Sequence, residues 1–242
     1  MSSDLIVANI QIIREKIAGT AQIRGIDSAD IQIVAVTKNR TMEEIISAWS
    51  AGLTIFGENR IQEALPKIVA PAGINPEWHM IGHLQSNKAR AAVDHFTMIQ
   101  SLDSVELAMR LSRIGVETGR LVRVLVEVNT SAEPSKHGIR PDSWEQFFTQ
   151  LAGLRQLQID GLMTVGPLTD DVRRINASYA LLRDLFGQIA GQGFENCQMK
   201  WLSMGMSDDY PTAIAEGANM IRLGRAIFGP RQSNETRQMN HA

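Results

Sequence analysis

What most constrains this chain is an alternation, sustained over its length, of short β-branched or apolar runs with longer segments of helical spacing. Residues 31–37 (IQIVAVT) are almost continuously apolar, the pattern of a strand buried on both faces. The series continues at 54–57 (TIFG), 78–82 (WHMIG), 97–100 (TMIQ), 121–129 (LVRVLVEVN), 159–164 (IDGLMT), 200–203 (KWLS) and 219–223 (NMIRL). Helical patterns lie between them at 41–51, 61–69, 86–93, 104–118, 142–151, 172–190 and 207–216. The first of these opens on the capping-box-like Thr41-Met42-Glu43-Glu44 and stops before Gly52. Such regular alternation predicts a parallel sheet with right-handed crossovers, and eight β units predict its closure into a barrel. The rival, an open doubly wound sheet, lacks the glycine fingerprint expected at its first turn.

The expected fold is therefore α/β: a single (β/α)8 TIM barrel over residues 1–231, with a polar tail at 232–242 expected to fray. An extra helix precedes the first strand. Ile6, Ile10, Ile13 and Ile17 recur at helical spacing, and Ser2 and Ser3 are candidate N-caps ahead of Asp4. The polar residues between them argue against a signal peptide, and no run approaches the roughly 20 apolar residues of a membrane span. Hydrophobic residues at 44% and charged residues at 21% suit a globular domain whose core needs neither disulfide nor metal. A net charge of -2 without a basic patch gives no reason to expect nucleic acid. Cys197 is the single cysteine, so no internal disulfide can form; it reads as an inert thiol in a reducing, cytoplasmic setting.

Chemistry in such a barrel gathers where the strands end. The first strand ends in Thr37-Lys38-Asn39, the second in Gly57-Glu58-Asn59, and the third carries His79 ahead of His83. Asn129 ends the fifth, Met163-Thr164 the sixth. Lys38 follows seven largely apolar residues, so an amine is delivered to the rim of a dry core. Desolvation there favours the neutral, imine-forming amine; a lysine that merely snorkels into water is the plainer alternative.

After the seventh strand, Ser203-Met204-Gly205-Met206-Ser207 offers two hydroxyls, a flexible glycine, and Ser207 as N-cap of the next helix. The amides of Gly224 and Arg225 offer a second nest after the eighth strand. Barrels recurrently bind phosphate there. A phosphate site beside an imine-forming lysine outlines a site for pyridoxal 5'-phosphate (PLP). Arg222, within the last strand, needs a partner for its guanidinium. Either Glu216 or Glu127 neutralises it, or it contacts the pyridine nitrogen of the cofactor.

Six segments in order resemble the YggS/PROSC family of pyridoxal phosphate homeostasis proteins, relatives of the alanine racemase barrel. They are IVAVTKNR (33–40), FGENRIQEALPK (56–67), WHMIGHLQSNKAR (78–90), VEVNTSAEPSKHGI (126–139), GLMTVGP (161–167) and LSMGMSDDYPTAIAEGANMIRLGRAIFG (202–229). The resemblance implies that Lys38 carries PLP as a Schiff base and that Arg222 faces the pyridine nitrogen. It implies that Ser203, Ser207, Gly224 and Arg225 hold the phosphate, and that Asn59, His79 and Met163 line the ring. Lys136 matches a second loop lysine of the family, which exchanges or receives cofactor unless it is an ordinary solvated lysine.

The resemblance also bears on turnover. A racemase needs a base on each face of the cofactor, and the related racemases take the second, a tyrosine, from a separate β domain. The chain stops soon after the eighth strand, so no such domain is expected here. Tyr179 falls mid-helix and Tyr210 precedes Pro211, neither evidently placed as a base. An arginine at the pyridine nitrogen weakens the electron sink. The expectation is a non-enzymatic, monomeric carrier or buffer of PLP, serving vitamin B6 and amino-acid homeostasis and delivering to PLP-dependent apo-enzymes. A weak PLP-dependent amino-acid racemase is the alternative, and a cofactor-free Schiff-base aldolase a more distant one.

Overall fold

The computed structural model describes residues 2–70 and 72–230; the proposed boundary at 231 and the tail 232–242 lie outside them. Among the described residues, eight parallel strands close in chain order. They are β1 (Gln32–Val36), β2 (Ile55–Glu58), β3 (Glu77–Met80), β4 (Met98–Leu102), β5 (Val122–Glu127), β6 (Leu157–Met163), β7 (Cys197–Ser203) and β8 (Met220–Leu223). Pairing of β1 with β8 seals the cylinder and sets Val34 opposite Arg222. Around it run α1 (Ser3–Arg24), α2 (Met42–Ser50), α3 (Ile61–Ile68), α4 (Ala89–His95), α5 (Val105–Thr118), α6 (Trp144–Leu151), α7 (Val172–Ala190), α8 (Tyr210–Ala215) and α9 (Arg225–Phe228).

The local chemistry explains most boundaries. Thr41 and Glu44 form the reciprocal capping box that starts α2. The Ser104 hydroxyl accepts from the Leu107 amide to start α5, which Gly119 ends in the left-handed conformation. Ile6, Ile10, Ile13, Ile17 and Ala21 form the buried stripe of α1, which packs against α2, α8 and α9. That placement seats α1 among the helices that follow β1, β7 and β8. Ser2 occupies the N-cap position of α1, but its side chain makes no capping hydrogen bond.

Three expectations change. β7 begins at Cys197, earlier than its apolar residues suggest, because Gln198 and Lys200 face outward. The segment after β3 opens with a 3-10 turn, Ser86–Lys88, before α4. The helix expected from 207 starts only at Tyr210, with Asp209 as its N-cap, so Ser207 caps no helix there. Pro211 explains the late start: it fits the first turn of a helix, where an amide needs no partner.

Two apolar layers result. A large one lies between sheet and helices, and a small one fills the barrel with Val34, Ile55, Met98, Leu125, Met163 and Met220. Toward the strand C-termini that inner plug gives way to buried polar side chains: His79, Gln100, Glu127, Ser203 and Arg222.

Candidate cofactor site

Lys38 stands in the turn after β1, half-buried, followed by Asn39 with a left-handed φ of 61°. The turn is anchored from both sides. Thr37 donates its hydroxyl to Glu58 Oε1 at 2.6 Å, and Lys67 Nζ reaches both that oxygen, at 2.6 Å, and the Thr37 carbonyl, at 2.7 Å. On the far side Arg40 donates to the Gly229 carbonyl at 2.6 Å and pairs with Glu44 at 3.3 Å. Glu58 is fully buried, so its ion pair with Lys67 replaces the water that both charges lost. The strand end therefore presents Lys38 from a rigid ledge.

Asn59 sits on the next loop. Its Oδ1 is buried without a hydrogen-bond partner, as is Glu58 Oε2. Gly82 lets the loops approach: a Cβ there would lie 2.4 Å from the Asn59 carbonyl oxygen. An orphaned oxygen held this firmly is what a polar ligand group would satisfy.

Across the mouth runs a chain of buried hydrogen bonds. Arg222, 4% exposed, donates from Nη1 to Ser203 Oγ at 2.7 Å and from Nη2 to the Thr164 carbonyl at 2.7 Å. Ser203 donates to Gln100 Oε1 at 2.7 Å. The amide nitrogen of Gln100 then faces His79 Nδ1 at 2.9 Å and must donate to it. His79 is thereby the tautomer protonated at Nε2, which lies 3.9 Å from Glu77. Burial lowers the His79 pKa, so the ring stays neutral. Directionality thus passes unbroken from a guanidinium to an imidazole.

Neither acid expected beside Arg222 forms an ion pair with it. Glu216 is held by Arg183 at 2.5 Å, and Arg222 is satisfied instead by neutral oxygens. Glu127 exerts only a longer-range pull. Its carboxyl is pushed up to about 7 by burial and by Asp103, with Arg222 opposing. Met163 ends β6 within the inner apolar plug, fully buried.

The turn after β7 folds onto the start of α9. Ser207 Oγ accepts from the amides of Gly224, at 3.3 Å, and Ala226, at 3.1 Å. Gly205 permits this course with φ 93°, where an added Cβ would sit 2.5 Å from that of Ala213. The Arg225 side chain points outward to Asp208. Ser207 and Gly224 are therefore brought together, whereas the hydroxyl of Ser203 belongs to the Arg222 chain.

Lys136 Nζ meets the Gly166 carbonyl at 2.7 Å and Glu133 at 3.1 Å, on the long loop after β5. Tyr179 is fully buried and donates to Asp209 at 2.8 Å; burial and that carboxylate raise its pKa. Tyr210 is buried too, as the first residue of α8. The Cys197 thiol is pushed up to about 11 by burial, as befits an inert group.

Thr164, read in the sequence as the end of its strand, joins this site; Gln100, Lys67 and Ala226 complete it without having been singled out there. Only Gln100 left a trace there, as a polar residue closing an apolar strand.

Residues 2–232 match the family described as alanine racemase, N-terminal domain. Among curated relatives, a pyridoxal phosphate homeostasis protein of Haemophilus influenzae is 38% identical over 225 residues, covering 92% of this chain and 94% of that protein. One of Synechocystis sp. is 42% identical over 202 residues, covering 83% and 92%. The structure of PipY from Synechococcus elongatus with PLP bound superposes with a TM-score of 0.77 at 39% identity, covering 88% of this chain and 100% of that one. With the closed barrel and this degree of identity along nearly its whole length, the chain belongs to the pyridoxal phosphate homeostasis protein family, built on the alanine racemase N-terminal domain.

Proposed function

We propose that this protein binds PLP through Lys38 and holds it for handling within the cell rather than for turnover. The observation that carries the reading is the juxtaposition made by the β1–β8 pairing. It sets the ledge of Lys38 beside the strand that bears buried Arg222 and leads into Gly224. The residues fit such a ligand. Asn59 Oδ1 is an unsatisfied acceptor at the mouth, and the Gly224 and Ala226 amides, now donating to Ser207, are of the kind that hold a phosphate. Bound there, the cofactor supplies an aldehyde that condenses reversibly with an amine and absorbs visible light.

The chain's own groups do the rest. Arg222, locked by Ser203 and Thr164, keeps a positive charge on the floor of the cup and so disfavours a proton on a ring nitrogen placed against it. Met163 and His79 would form the apolar and neutral-polar lining, with Ser203 positioning Arg222 and Gln100. Ser207, Gly224 and the Arg225 amide would cradle the phosphate. Lys136, already folded against the Gly166 carbonyl, would be a second amine for cofactor in passage.

The carrier reading is favoured over a racemase because both tyrosines are committed elsewhere, Tyr179 to Asp209 and Tyr210 to the core. Among the described residues no helix is long and apolar enough to cross a membrane. A cytoplasmic monomer that hands PLP to apo-enzymes accords with that reading. The test is an absorption spectrum of the protein with PLP, before and after borohydride reduction, with mass mapping of the modified lysine. Label on Lys38 and loss of the visible band in Lys38→Ala are expected; a protein without any such band would overturn the assignment. Sustained solvent-deuterium exchange at amino-acid α-carbons would instead establish the racemase.

A further inference from the structure

The βα loops after β3, β4 and β5 bring together three side chains that the site above does not use. His83 Nδ1 lies 2.9 Å from Asp103 Oδ2, and His137 Nδ1 lies 3.9 Å from the same oxygen. The two imidazoles stack, with centroids 4.0 Å apart and planes 10° from parallel. One ligand atom from each of the three residues falls within 4.8 Å of the others. A lone His83–Asp103 contact would be an ordinary surface ion pair of little worth. A second imidazole on the same carboxylate oxygen makes the group a ligand set.

We propose that His83, Asp103 and His137 form a binding site for a divalent transition-metal ion of the zinc class. Two imidazoles and one carboxylate suit zinc, cobalt, nickel or copper better than calcium or magnesium, which prefer oxygen alone. Zinc holds nitrogen and oxygen ligands at about 2.0–2.2 Å, so tetrahedral neighbours stand roughly 3.3–3.5 Å apart. The separations of 2.9 and 3.9 Å bracket that range. Coordination requires the rings to open from their stack so that the ion lies in both planes. His83 and His137, at 40% and 55% side-chain exposure, can turn without disturbing the core.

The backbone behind each ligand is already fixed. Ser101 donates to the Gly82 carbonyl at 2.7 Å, just before His83. Asp103 directly follows the last residue of β4, which is fully buried. The Asn129 side chain donates to the carbonyls of Glu133, at 2.9 Å, and Lys136, at 3.4 Å; the Ile139 amide donates to the Glu127 backbone carbonyl at 2.8 Å. The turn bearing His137 is thus clasped on both sides. A metal here would tie that loop to the rims of β3 and β4 and leave a coordination position for water.

The experiment is calorimetric titration of the metal-stripped full-length protein with Zn2+, supported by the d–d absorption of Co2+ in the same site. One ion per chain is expected, with a tetrahedral cobalt spectrum. His83→Ala with His137→Ala should weaken Zn2+ binding by about a hundredfold or more, and Asp103→Asn by about tenfold or more. His95→Ala, removing an exposed histidine outside the cluster, should bind as the unaltered protein does. Far-UV circular dichroism checks that each variant is folded. Added Zn2+ should also slow amide exchange across residues 131–139. Unchanged affinity in the double variant, or no saturable uptake of one equivalent, would overturn the site.

Discussion

Two lysines stand at the mouth of the barrel, and their surroundings differ in kind. Lys38 extends from a strand end whose turn is nailed down by the buried Glu58–Lys67 pair, the Thr37 hydroxyl and the Arg40 clamp. Lys136 lies on the loop after β5, its amine held by the Gly166 carbonyl and by a partly exposed pair with Glu133 three residues earlier. A strand end inherits the rigidity of a closed sheet, whereas a loop keeps only what its own hydrogen bonds supply. The comparison teaches that one mouth can present two amines, one from a strand end and one from a loop.

The sharpest way to break this contrast is to exchange the roles. Lys38→Ala should remove the visible PLP band and Lys136→Ala should leave it; the reverse result, read by absorbance, would make the loop lysine the anchor. Next in size, Lys67→Ala leaves the Glu58 carboxylate buried and unpaired, which should cost about 3–5 kcal/mol in urea unfolding. A small effect there would mean that the ledge is not what stiffens Lys38.

A third test concerns pH. Because the folded carboxyl of Glu127 is raised from 4.5 to about 7, the native state binds more protons than the unfolded chain between those values. Stability from this group is therefore full below about pH 4.5 and lost as pH rises through about 7, a slope worth up to about 3 kcal/mol in total. Glu127→Gln should flatten that slope when unfolding is measured across the window. Smallest of all, Glu133→Gln removes the charged partner of Lys136 in a partly exposed pair. Thermal unfolding should not move measurably, while transfer of PLP to an acceptor apo-enzyme should change if the loop amine takes part.

Much of the architecture was legible. The runs at 31–37, 121–129 and 219–223 marked their strands because a parallel barrel buries both strand faces. Thr41 marked a helix start because its hydroxyl satisfies an amide nearby in sequence. Ser207 misled for a related reason: the residue type was right for a cap, but Pro211 moved the helix start, and the hydroxyl serves the amides of Gly224 and Ala226 instead. The partners of Arg222 misled as well. Charge suggested an acid, while the fold supplied Ser203 and a backbone carbonyl.

What sequence alone determined was the succession of elements and the residue types at each strand end, since both rest on local periodicity and on side chains acting within a few residues. It therefore placed Lys38, Asn59 and Arg222 each on its own rim. Only the tertiary structure decided which of these meet. Closing β8 onto β1 brings the strand that leads to Lys38 beside the strand of Arg222 although most of the chain separates them. The hydrogen bonds from Arg222 through Ser203 and Gln100 to His79, and the meeting of His83, Asp103 and His137, likewise join different strands and loops. Such contacts depend on barrel register and on which way each strand faces. No window of sequence contains that information.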